Sequence, residues 1–232
     1  MLLGTDTVVY EILQDGDQPM PLFDSAEGIR RVAEGDTVSV AALANGDLAL
    51  LSDDEPRRLE TGIDEEIWSL LILSEDPLEV LVGTVAPHIY HVDAGGNVER
   101  NGSFATLDVR NKWTTPWGGP AVARSMAASA DGYVYAGIEQ GSVMRSPDGG
   151  ETWEPVTPDL NKDIHQVITC PAAPERVYAN TARAVFTSKD HGESWQHVSD
   201  DLDTRYGRAI AVHHEDPDLL LATVSDGPHG DN

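Results

Sequence analysis

Lysine is nearly missing from this 232-residue chain. Only Lys112, Lys162 and Lys189 accompany twelve arginines, against 40 aspartates and glutamates, and the formal charge is −25. So negative a chain lacks the positive footprint that nucleic acid or an anionic membrane requires as a partner. Cysteine is limited to Cys170, which excludes an intrachain disulfide and leaves no sign of an oxidising compartment. Cys170 lies in the apolar-leaning run 167–171 and reads as a small buried residue. No apolar run approaches the ~20 residues of a membrane-spanning helix. The first residues, Met1-Leu2-Leu3-Gly4-Thr5-Asp6, lack the basic start and apolar core of a secretory signal. A cytoplasmic location is the expectation. Dense carboxylate with little lysine also suits a high-salt cytoplasm, where screening weakens self-repulsion.

What the chain does contain is a repeated phrase. Ser146 to Trp153 reads Ser-Pro-Asp-Gly-Gly-Glu-Thr-Trp, and Ser188 to Trp195 reads Ser-Lys-Asp-His-Gly-Glu-Ser-Trp, with Asp148 and Asp190 42 residues apart. A period of that size implies one folded unit per copy. A carboxylate in a tight turn can accept hydrogen bonds from the turn's own N–H groups, and Gly150 and Gly192 supply the positive φ such a turn often needs. Each phrase is therefore expected to close a hairpin. Trp153 and Trp195 are expected to open the next strand and cover a neighbouring sheet. Ser146, Asp148, Gly150, Thr152, Trp153, Ser188, Asp190, Gly192, Ser194 and Trp195 are read as structural, not as an ion site.

The phrase resembles the Asp-box, or BNR repeat, S-x-D-x-G-x-[TS]-W, of sialidase-like β-propellers. The resemblance rests on two complete copies in register. By repeat phase it covers nearly the whole chain. It implies an all-β propeller, with the boxes on the face opposite any ligand site. The box itself leaves function open, because it recurs in enzymes, receptors and assembly factors.

The period continues where the box is absent. Leu78 to Thr84, Tyr133 to Ile138, Arg176 to Thr181 and Leu219 to Val224 repeat one strand phrase, and Gly137, Asn180 and Thr223 fall 43 residues apart. Degenerate boxes stand at Leu51-Ser52-Asp53-Asp54 and Val92-Asp93-Ala94-Gly95-Gly96. Short strands between turn residues, without helical periodicity, read as propeller blades. Labelling the strands of a blade A to D, B to D come first (about 2 to 23). Four complete blades follow (about 29 to 60, 66 to 103, 121 to 157 and 163 to 199), then A and B alone (about 206 to 225). This is read as one propeller domain over 1–232, incomplete at its C-terminus, from a six- or seven-blade ring.

Ligand sites are expected on the loops opposite the boxes. The longest, Phe104 to Pro120, holds Trp113 and Trp117 beside Arg110 and Lys112. Aromatic faces beside polar groups suit stacking on a sugar, whereas rings plugging a wide joint between blades is the plain structural alternative. His88, Glu139, Arg183, Arg205, Tyr206, His165 and His229 complete the candidate set. His165, His213 and His214 are placed on A strands. Adjacent His213 and His214 would point to opposite faces, so no metal or cofactor is assigned.

The spacing reveals no Arg-Ile-Pro-like segment before the first box, and nothing ties Arg110, Arg124, Arg183, Arg205, Arg208 or Tyr206 to the arginine cluster and Tyr–Glu pair that a sialidase-like enzyme would use. A non-catalytic scaffold binding a glycan or protein partner is the preferred reading. A sialidase-like glycoside hydrolase is the alternative.

Overall fold

The computed structural model describes residues 1–13, 18–52, 54–156 and 160–228. Asp53 and His229 lie outside the described residues. The chain packs as two compact units, 1–101 and 102–232, built from the same antiparallel sheet.

The first unit contains a three-stranded sheet (Leu2–Gly4, Val8–Glu11, Met20–Asp24) and two four-stranded ones. Those run Ile29–Ala33, Ser39–Leu43, Leu48–Leu51, Arg57–Leu59, then Ile67–Glu75, Leu78–Thr84, Ile89–Asp93, Val98–Arg100. In the second unit, a short helix (Gly102–Ala105) and a 3₁₀ turn (Asp108–Lys112) precede two more four-stranded sheets. These are Val122–Ala128, Val134–Glu139, Ser142–Ser146, Glu154–Pro155 and Ile164–Cys170, Ala173–Thr181, Val185–Ser188, Gln196–His197. A two-stranded sheet, Tyr206–Val212 with Leu220–Ser225, follows. These are propeller blades in the order B to D, four complete units, then A and B. Among the described residues no helix is long and apolar enough to cross a membrane.

The apolar runs of the B strands follow from burial on both faces. Successive side chains point to opposite sides of a strand. In the second blade Val40 and Ala42 therefore join one core cluster, with Val80 and Val82 of the third, while Ala41 and Leu43 join another, with Val9 of the first. In the fifth blade Val177 and Ala179 pack toward Tyr135 and Val143, and Tyr178 packs toward Ile210. Each joint is filled by one parity of two strands, so the two-residue alternation disappears from the sequence although it persists in space.

The two boxes are near copies in three dimensions. Ser146 Oγ donates to Asp148 Oδ1 at 2.8 Å and accepts from Gly150 N at 2.8 Å. Asp148 then accepts from Thr152 N at 2.8 Å and Thr152 Oγ1 at 2.7 Å. Ser188, Asp190, Gly192 and Ser194 repeat the scheme at 2.6 to 2.9 Å. Both tryptophans donate Nε1–H to the box glycine's carbonyl. Partial burial pushes the two aspartates up, but the donors around them together hold both carboxyls below the ordinary range. Trp195 packs into the joint between the fourth and fifth blades, and Trp153 lies against Phe104, ring centroids 5.4 Å apart. Both rings precede their strands, which begin at Glu154 and Gln196, so strand D is shorter than the sequence suggests. In the degenerate copy Asp93 is capped by Gly95 N, Asn97 N and Asn97 Nδ2 at 2.8 to 3.0 Å. A carboxamide there takes the place of the missing hydroxyl.

Candidate functional site

The ends of the blades opposite the boxes are shaped by a regular irregularity. Among the described residues every A strand with a B partner carries a register shift after its first or second residue: at 29/31, 67/69, 123/125, 164/166 and 207/209. A β-bulge leaves one residue unpaired and re-aims its side chain. The bulged residues are Arg30, Trp68, Arg124, His165 and Arg208, all large and able to hydrogen-bond. The next residue reaches across the joint instead. Arg31 Nε donates to Trp68 O at 2.5 Å, Ser125 Oγ accepts from Val167 N at 2.9 Å, and Gln166 Oε1 accepts from Ile210 N at 2.8 Å.

In the second unit three bulges build one polar cluster. Arg124 Nη1 donates to Glu139 Oε2 at 2.8 Å. Glu139 ends strand B of the fourth blade and faces Asp163 across an isolated antiparallel bridge; residues so opposed project on the same side of the sheet. His165 is buried, its Nδ1 2.6 Å from Gly207 O and its Nε2 3.7 Å from Asp163 Oδ1. The carbonyl can only accept, so Nδ1 carries a proton. Tyr206 lies between two of these groups: the His165 ring centroid is 4.8 Å from its own, and the Arg208 guanidinium sits 4.9 Å from it. Burial raises the Tyr206 pKa, Asp163 reinforces that shift, and Arg124 and Arg208 oppose it. Among the described residues the Tyr206 hydroxyl has no hydrogen-bond partner.

The turn that presents Glu139 is strained. Gln140 and Ser142 adopt φ of 65° and 70°, left-handed values that cost a residue with a side chain about 1–2 kcal/mol each. Gly141 between them has no room for a Cβ, which would approach Ile138 and Trp113. Buried polar atoms without partners gather at this joint and the next. Ser142 Oγ, Asp163 Oδ1 and both carboxamide atoms of Asn180 are in this condition, and elsewhere among the described residues only Trp68 Nε1 is. Orphaned buried groups are rare enough that each marks strain or an unmet partner.

The sequence candidates divide accordingly. Glu139, His165 and Tyr206 are brought together, joined by Arg124, Asp163 and Arg208. Trp113 is 8% exposed, tilted against Phe104 at 5.7 Å and backing the Glu139 turn at Gly141, which is the plug position. Trp117 is 73% exposed. It rides the tip of a turn braced by Gly118 N to Thr115 O at 2.9 Å, Thr115 Oγ1 to Gly119 O at 2.9 Å and a Thr114–Pro120 bridge. Arg110 covers the rings of Phe104 and Trp113. Arg183 is exposed in the turn after Thr181, and Arg205 donates to Asp200 O at 3.2 Å. His213 and His214 are a correction: strand A ends at Val212, so both lie in the A-to-B turn, at the box end of the blade, where their rings stack at 4.7 Å. Among the described residues no group of three His, Cys, Asp or Glu could hold a metal.

His88 belongs to the first unit. Its Nδ1 is 2.7 Å from Glu65 Oε1, whose other oxygen accepts from Tyr90 Oη at 2.5 Å. Burial and that carboxylate push the Tyr90 phenol up to about 12. Ala86, at φ 57°, strains this turn as Gln140 strains its counterpart. Asp163 and the bulges escaped the sequence reading, and Asp64-Glu65-Glu66, which reads as a solvated acidic turn, instead sends Glu65 to His88 and Tyr90. The available signal was phase, because Arg30, Trp68, Arg124, His165 and Arg208 each stand directly after the first or second residue of an A strand.

Against known proteins, the family model Sortilin-Vps10 (Sortilin, neurotensin receptor 3) matches residues 141–231. No curated protein matches in sequence. Among solved structures, an ancestral GH74 enzyme aligns over 97% of this chain and 30% of its own at 16% identity and TM-score 0.66. The GH74 enzyme of Niastella koreensis aligns over 86% and 33% at 12% identity and TM-score 0.62. The computationally designed Ika8 protein aligns over 97% and 68% at 14% identity and TM-score 0.64. The chain thus spans about a third of the GH74 structures it matches. The fold is that of a β-propeller, and two of its blades carry the Asp-box phrase at 146–153 and 188–195.

Proposed function

We propose that this chain is a ligand-binding propeller scaffold that recognises a polyhydroxylated ligand, a glycan, through the cluster at Arg124, Glu139, Asp163, His165, Tyr206 and Arg208. The observation that carries the reading is the interleaving of charge. Guanidinium donors and carboxylate acceptors stand beside a phenol hydroxyl that has no partner among the described residues. A pure anion would meet Glu139, Asp163 and a chain of charge −25, while a pure cation would meet Arg124 and Arg208. A sugar hydroxyl both donates and accepts, so it fits between them without splitting the Arg124–Glu139 pair. Trp117, exposed on a braced turn, offers a ring of the kind that stacks on a sugar.

A second reading, glycoside hydrolysis, is favoured by one observation. Glu139 and Asp163 project from opposed positions of one bridge, and paired carboxylates about 5 to 9 Å apart are what such enzymes use. Against it, the Glu139 carboxylate is engaged by Arg124. A glycan array with a parallel hydrolase screen separates the two. Binding without turnover, lost in Tyr206→Phe and weakened several-fold in Trp117→Ala, supports the scaffold; release of any sugar from a bound glycan transfers the assignment to the hydrolase.

A further inference from the structure

Within the cluster the charges are unequally provided for. Glu139 is answered by Arg124 at 2.8 Å. Arg208 directs its donors to Ser225 Oγ at 3.0 Å and the carbonyls of Gly227 and Pro228 at 2.7 and 3.0 Å. Asp163 has no such arrangement. Among the described residues its Oδ1 is shut from solvent without a hydrogen-bond partner, and His165 Nε2 stands 3.7 Å away. Lys162 beside it is exposed and makes no ion pair among the described residues. The side chain as a whole is 23% exposed, and the His165 ring lies between it and Tyr206, 3.7 Å from Asp163 Oδ1 and 4.8 Å, centroid to centroid, from the phenol ring, near enough for the carboxylate to raise the phenol's pKa. A half-buried carboxylate without a counter-charge is an expensive thing for a fold to keep, and the field of a −25 chain raises the local concentration of cations around it.

We propose that Asp163 is the receptor for a primary ammonium group, with Tyr206 Oη as second acceptor, so that the ligand of this site is an amino sugar and not a neutral one. The inference rests on the glycan reading above and narrows it. An ammonium carries three donors, as many as the carboxylate edge and the phenol oxygen can accept together. Its sugar hydroxyls meet the mixed donors and acceptors of Arg124 and Glu139.

The test is titration calorimetry with glucosamine, glucose, N-acetylglucosamine and methylammonium on the full chain, below the pKa of the amines. Glucosamine is expected to bind at least tenfold tighter than glucose or N-acetylglucosamine. Asp163→Asn, which keeps the shape and removes the charge, should abolish that preference. Asp203→Asn, an exposed acid of the neighbouring loop, should retain it. If Asp163→Asn does not fold, the ranking of the sugars on the unaltered chain decides alone. Equal binding of all three sugars overturns the ammonium assignment and leaves the glycan reading intact. Methylammonium binding with no sugar bound overturns the glycan reading and supports the ammonium site. Failure of all four to bind overturns both.

Discussion

Gly137 and Asn180 occupy the same position of successive B strands, and Ile164 and Gly207 the same position of the A strands they face. A Cβ on Gly137 would come within 2.7 Å of Ile164 Cγ2, and a Cβ on Gly207 within 1.7 Å of Asn180 Oδ1. One joint therefore places the small residue on B and the large one on A, and the next joint reverses them. Gly207→Ala should destabilise the chain by about 1–3 kcal/mol, the usual cost of overpacking. Adding Asn180→Gly should recover much of that loss, a coupling that a double-mutant cycle by urea denaturation would reveal; independent, additive losses would refute the exchange. Glu75 is a second residue-scale case. It accepts from Thr37 Oγ1 and from the backbone N–H groups of Asp36, Thr37 and Val38, led by the Thr37 hydroxyl, and its carboxyl falls from 4.5 to about 2. A lowered folded-state value means the contribution is present above about pH 4.5 and is lost as pH falls toward 2. Glu75→Gln should accordingly melt below the unaltered chain at neutral pH, with the gap closing across that window. A gap constant with pH would show that the carboxylate does not act through its charge.

At the scale of the element, the box is a self-contained hydrogen-bonded turn. Asp148→Ala would leave Thr152 N without an acceptor while keeping every apolar contact. A loss of about 1 kcal/mol is expected, the net worth of a hydrogen bond whose donor water can reach, and the same at Asp190, measured by equilibrium denaturation; an unchanged midpoint would make the carboxylate dispensable. The boxes and the strand phase were legible in the sequence because a turn aspartate, its glycine and a following aromatic are local signals. Asp93 shows how far that legibility extends, since Asn97 substitutes for the hydroxyl and the turn survives without the motif. The bulges were not legible. A bulge is a property of pairing between two strands, and Ile-His or Ala-Arg at a strand start looks like any other pair of residues. Trp113 and Trp117 defeated sequence reasoning for a related reason: four residues apart in one loop, they differ only in whether Phe104 lies behind them.

For the whole molecule, charge is the dominant variable. Forty carboxylates against fifteen basic side chains repel one another most at low ionic strength, and the Debye length falls from about 10 Å at 0.1 M to about 3 Å at 1 M salt. The melting temperature is expected to rise between low and molar KCl. A fall over that range would remove the high-salt interpretation and point to the ion pairs as net stabilisers instead. The candidate site was only half visible at this scale. Glu139 and Tyr206 were recognisable as polar residues of the loops opposite the boxes and His165 as one of an A strand, but Asp163, between Lys162 and Ile164, acquires meaning only when the bridge sets it opposite Glu139.

The bulge separates two duties that most strands force onto the same residue. At 124 and 125 one side chain is bonded within its own blade, to Glu139, while its neighbour ties the joint to the next blade; at 165 and 166 both side chains tie it. At the first pair selectivity can then drift at one position while cohesion is held constant at the next. Where the bulged side chain is partly exposed, as at Arg124, its exchange alters what the end of the blade presents while the tie made by Ser125 stays in place.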